Sequence, residues 1–118
     1  MTRNARGLGV ALLLTSTTFT VPVVAAPTFK VGTLLFVEVF PDGSWDFGFT
    51  PSQTLCSSAA NTSRGMVQSS WVGGPDIVKQ MLAVAMSAYV SGRQFSVQVD
   101  DNPGGSACKA NIVVIQTP

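Results

Sequence analysis

Residues 75–91, PDIVKQMLAVAMSAYVS, read as one helix, with strand-like runs on both sides and a Cys56/Cys108 pair enclosing them. Gly73 and Gly74 interrupt the preceding segment, and Pro75 suits a first helical position, whose N–H needs no partner. Asp76 places a negative charge at the positive end of the helix dipole, and Gly92 can take the left-handed conformation that ends a helix.

At about 100° per residue, Val78, Met81, Leu82, Ala85 and Tyr89 form one apolar stripe, flanked by Met86 on one side and by Ile77, Val84 and Ala88 on the other. The apolar arc spans roughly 240°, where packing on one core needs roughly 100°. The expectation is that Val78, Leu82, Ala85 and Tyr89 hold the domain together. Ile77, Val84 and Ala88 are then the contact for a second copy, unless neighbouring loops cover the extra width.

Upstream, residues 29–40 (FKVGTLLFVEVF) form a β-branched and aromatic run, apolar on both faces over positions 34–37. Such a strand is expected to bend at a glycine such as Gly32 and to serve two parts of a barrel. Pro41, Asp42 and Gly43 make a tight turn. Residues 44–50 (SWDFGFT) return as a second strand, with Trp45, Phe47 and Phe49 inside and Ser44, Asp46, Gly48 and Thr50 in water. Residues 51–64 read as a loop carrying Cys56 and the acceptor-like triplet Asn61-Thr62-Ser63, and residues 65–71 (GMVQSSW) as a third strand. After the helix, residues 93–99 (RQFSVQV) alternate cleanly, 100–106 (DDNPGGS) form a loop, and 108–116 (CKANIVVIQ) are the last strand.

Three strands, one helix and two strands make a β-rich α+β chain. This is the order of the OB-fold, a five-stranded, partly open Greek-key barrel whose helix between strands 3 and 4 closes one end.

The N-terminus has another character. Arg3 and Arg6 precede an apolar centre, LGVALLL at 8–14, and Val23, Val24 and Ala25 form a small-residue cleavage site. Residues 1–25 are therefore expected to be a signal peptide and 26–118 the exported domain, secreted or periplasmic. The apolar run is too short and too interrupted for a spanning helix of about 20 residues, so the mature form is not expected in a membrane. In an oxidising compartment the two cysteines are expected to be bonded to each other.

Without Arg3 and Arg6, Lys30, Arg64, Lys79, Arg93 and Lys109 face Glu38 and five aspartates, a charge of about −1 with no basic cluster. That disfavours nucleic acid and anionic membrane as partners. The chain has no histidine, which removes Ser-His-Asp, Cys-His and histidine–metal chemistry. Glu38, the one glutamate, reads as a barrel-surface residue and not as half of a carboxylate pair. The chain is thus expected to be non-enzymatic, with no cofactor and no metal. Trp71, beside the helix entrance, is a candidate to stack on a sugar face, and Asp100, Asp101 and Asn102 are candidate polar ligands in a loop that lacks the alternating oxygens of a calcium loop.

The helix end with SGRQFSVQV (91–99), the cysteine opening the final strand, and the IVVI ending (112–115) together resemble small secreted bacterial OB-fold proteins. These are similar at a distance to the B subunits of pertussis-like and subtilase-type toxins. The resemblance implies an OB barrel that binds cell-surface glycan and assembles as a ring of five with its helices at the centre. No glycan-binding motif of those subunits matches here residue by residue. The alternative is an exported interaction protein, an inhibitor or envelope accessory factor, using the same barrel without sugar.

Overall fold

The computed structural model describes residues 28–115. Residues 1–25, expected to be a signal peptide, and Gln116 lie outside the described residues. Five strands, β1 (Thr28–Val39), β2 (Trp45–Thr50), β3 (Asn61–Val67), β4 (Gln94–Asp100) and β5 (Ala107–Ile115), close into a barrel in the order β1-β2-β3-β5-β4. Two helices, α1 (Ser69–Val72) and α2 (Pro75–Ser91), stand between β3 and β4. This architecture is compatible with an OB-like fold.

Strand β1 serves two neighbours. Its first half pairs with β4 from Thr28↔Val99 to Thr33↔Gln94, and its second half pairs with β2 from Thr33↔Thr50 to Val39↔Trp45. Gly32 sits at the changeover because a Cβ there would come within 2.8 Å of the Phe49 ring. A bulge between Leu34 and Phe36 then turns alternate residues to new faces, which explains why the run is apolar on both sides.

The third strand differs from its expected span. It runs over Asn61–Val67, and Gln68 to Val72 leave the sheet in a single helical turn. Gly73, at φ 106°, ends that turn, and Gly74, at φ 122°, caps α2, so the chain reverses without strain between the two helices. The segment 61–64, expected as loop, is drawn into the sheet by β5, where Asn61 pairs in parallel with Ala107.

Trp45, Phe47, Phe49 and Phe95 fill the barrel, their ring centroids 5.3–6.1 Å apart in tilted and edge-on pairs. Val67, Val97, Val99, Cys108 and Ala110 complete the wall of this core. Helix α2 caps one end with Val78, Met81, Ala85 and Ala88, and the indole N–H of Trp45 donates to the Val78 carbonyl at 3.2 Å.

Two expectations about faces are corrected here. Ala88, assigned to an outer flank, is only 1% exposed, whereas Tyr89, assigned to the core, is 45% exposed. The helix is rotated so that Ala85 and Ala88 lie against the barrel, where a tyrosine has no room. Similarly, the outward face of β2 is exposed only at Thr50: Ser44 and Asp46 are 6% and 1% exposed and Gly48 is buried. The Phe36 ring lies across Gly48, and the Arg64 side chain reaches Asp46.

Cys56 and Cys108 are joined in a disulfide, with Cα atoms 5.8 Å apart. Among the described residues no helix is long and apolar enough to cross a membrane.

Candidate functional site

The β1–β2 turn and the α1–α2 elbow meet at the helix-capped end of the barrel. There they enclose a groove of about 200 Å³ lined by Asp42, Gly43, Ser44, Gln68, Ser69, Ser70, Pro75, Val78 and Lys79. Its walls combine hydroxyl groups, an amide, a carboxylate and an ammonium with the apolar floor of Pro75 and Val78. Asp42 is held in place by Ser44, whose hydroxyl and backbone N–H both donate to the same carboxylate oxygen, at 2.6 and 3.0 Å. These two bonds hold its carboxyl below the ordinary value, the hydroxyl contributing most. No histidine or cysteine lines the groove; its hydroxyls are those of Ser44, Ser69 and Ser70, and that of Ser44 is engaged by Asp42.

A belt of outward-facing residues runs past this groove. Strand register aligns Glu38 with Asp46, Asp46 with Met66, Met66 with Lys109, and Lys109 with Asp100. Gln68 joins the belt to the groove, its amide donating to the Met66 sulfur at 3.3 Å while it lines the groove wall.

The candidate ligand residues divide across this surface. Trp71 lies half-buried in α1, and the Lys109 ammonium stands 5.4 Å from its ring centroid, a cation–π distance. Since Lys109 also pairs with Asp100 in the sheet, Trp71 and Asp100 flank one lysine. Asp100 itself accepts a hydrogen bond from the Asn111 amide at 2.9 Å.

Asp101 and Asn102 are occupied elsewhere. The Asp101 carboxylate accepts from the Ser57 hydroxyl and N–H and from the Ser58 N–H at 2.6–3.0 Å, clamping the β4–β5 loop to the loop of Cys56. The Asn102 amide donates to the Ala107 carbonyl at 2.8 Å. Both side chains build loop structure, and the Ser57 bonds hold the Asp101 carboxyl below its ordinary value.

The Glu38–Asp46–Arg64 group was not foreseen. Arg64 Nη1 stands 3.0 Å from Asp46 and 3.7 Å from Glu38, and its guanidinium lies 5.0 Å from the centre of the Phe36 ring. Glu38 is exposed at the barrel surface, as expected, and there also faces Asp46 across the β1–β2 pair.

Of the residues assigned to a contact with a second copy, Ile77 is 37% exposed, Val84 is half-buried and Ala88 belongs to the core. The larger exposed apolar surface of α2 lies on the other flank, where Met86, Tyr89 and Val90 are 40%, 45% and 80% exposed. Comparison of the chain with protein-family models, curated proteins and solved structures finds no match.

Proposed function

We propose that the protein is an exported, non-catalytic binding module whose groove takes a polyhydroxylated ligand, a saccharide unit. The observation behind this reading is the lining of the groove: hydroxyl, amide and carboxylate side chains over an apolar floor, with a single cation. A sugar presents hydroxyls to the first kind of group and C–H faces to the second, and a site of this kind binds by orientation and not by reaction. The resemblance to toxin B subunits agrees with this ligand class. Export accords with the disulfide.

The test is a glycan-array screen of residues 26–118 beside a Ser70→Trp variant, which fills the groove from an exposed turn. Retention of a glycan by the unmodified domain, lost in the variant at unchanged melting temperature, is the expected result. Absence of any retained glycan, or retention indifferent to the substitution, rejects the reading.

A second reading, self-association through α2, is favoured by its uncovered apolar flank at Met86, Tyr89 and Val90.

A further inference from the structure

We propose that Glu38, Asp46 and Arg64 form an acid-tightened latch that fastens β1, β2 and β3 to one another beside the groove. The geometry comes from strand register. Glu38 and Asp46 stand directly opposite each other on antiparallel strands, where two like charges destabilise the pair. Arg64 on β3 is shared between them, at 3.0 Å from Asp46 and 3.7 Å from Glu38.

Asp46 Oδ1 is buried with no hydrogen-bond partner, and so is Arg64 Nε. A single guanidinium thus faces two carboxylates and leaves one buried oxygen unpaired, an expensive arrangement while both carboxylates are charged. One proton taken from solvent onto Asp46 removes the repulsion and turns an acceptor into an O–H that can donate to Glu38. Lys109, on β5 beyond Met66, directs its ammonium to Trp71 and leaves Arg64 as the cation on this pair.

Burial pushes the Asp46 carboxyl up to about 6 from the ordinary 3.8, with Arg64 opposing the rise and Glu38 adding to it. The folded protein therefore keeps a proton between pH 3.8 and about 6 that the unfolded chain releases. Stability from this group is full below that window and is lost as pH rises through the folded value. Asp42 and Asp101, held below 3.8, act in the opposite sense and only at lower pH, so they leave the window clear.

The latch sits where the three strands lead into the groove. Ser44 lies two residues before Asp46, and Gln68 two residues after Met66, the partner of Asp46 on β3. The proposal is independent of what the groove binds.

Urea unfolding of the oxidised mature domain tests it. The unfolding constant should be about tenfold larger at about pH 7.5 than at about pH 5. Asp46→Asn should reduce that ratio to below about twofold, and Glu38→Gln, which removes the facing charge, should shrink it part-way. Carbon-13 NMR of the Asp46 carboxyl in the unmodified domain gives a reading that needs no variant to fold, with a titration midpoint expected near 6. A ratio near one in the unmodified domain, a slope that survives in both variants, or a midpoint at the ordinary carboxylate value overturns the latch.

Discussion

At the scale of single residues, what a side chain does here depends on which residue the sheet places opposite it. Gly65 faces inward on β3 against Phe47, and a methyl group at its Cβ position would run into the Phe47 ring. That ring is fully buried among Trp45, Phe49 and Phe95, so it has no direction in which to yield. Gly65→Ala should therefore cost about 1–3 kcal/mol, read as a lower urea midpoint at unchanged slope. Gly48→Ala meets the Phe36 ring instead, which lies at the surface and can move aside, so its cost should be clearly smaller. Equal costs at the two glycines would contradict this account. The inward row of Trp45, Phe47 and Phe49 was legible from alternation alone. The burial of Asp46 and Gly48 was not, because nothing in SWDFGFT names Arg64 over the one and Phe36 over the other; pairing across β1, β2 and β3 supplies them.

At the scale of elements, the bounds of α2 agree with the sequence because both are local: proline and glycine punctuation marks the start, and Gly92, at φ 70°, ends the helix with its N–H on the Ala88 carbonyl. The rotation of the helix is a different matter. An apolar arc of roughly 240° accommodates several inward faces, and the choice falls to the barrel, which takes Val78, Met81, Ala85 and Ala88 and leaves Met86, Tyr89 and Val90 outside. The same limit applies to the turn after β3, where a run of strand-like residues, GMVQSSW, is divided between a strand and a helical turn by its partners in β2 and β5. If the exposed flank mediates association, a charge there is costly only when the contact forms. Val90→Glu should then shift the mature domain from oligomer to monomer in light scattering while its thermal midpoint, extrapolated to low concentration, stays the same. Val84→Glu, on the other flank, should have the smaller effect on mass. A domain strictly monomeric at high micromolar concentration before any substitution removes this role for the helix.

At the scale of the whole molecule, the barrel has one parallel seam. Antiparallel ladders join β1 to β2 and to β4, β2 to β3, and β4 to β5, with single irregularities at Leu34/Phe36 and Gln98/Val99, but β3 and β5 meet in parallel and their register skips from Asn61 to Gly65. The other fastenings concentrate there. The disulfide ties Cys56, in the loop before β3, to Cys108 on β5. Ala60 and Asn61 donate backbone hydrogen bonds to the Gly105 and Ser106 carbonyls at 2.8 and 3.0 Å, and Asp101 clamps the adjoining loop through Ser57 and Ser58. A cross-link across the pairing with the longest break in register removes disorder where the ladder is interrupted. The pairing of the two cysteines was legible in the sequence, whereas the seam it protects appears only in the parallel register. Replacing both cysteines by serine should lower stability by about 4 kcal/mol in the chain-entropy model. The loss should also be local before it is global: amide exchange in 61–66 and 107–110 should accelerate first, while the β1–β2 amides keep their protection. Thiol titration of the unmodified domain without reductant should find no free cysteine. Uniform acceleration across all five strands would show instead that the disulfide stabilises the barrel as a whole and that the β3–β5 seam is no weaker than the rest.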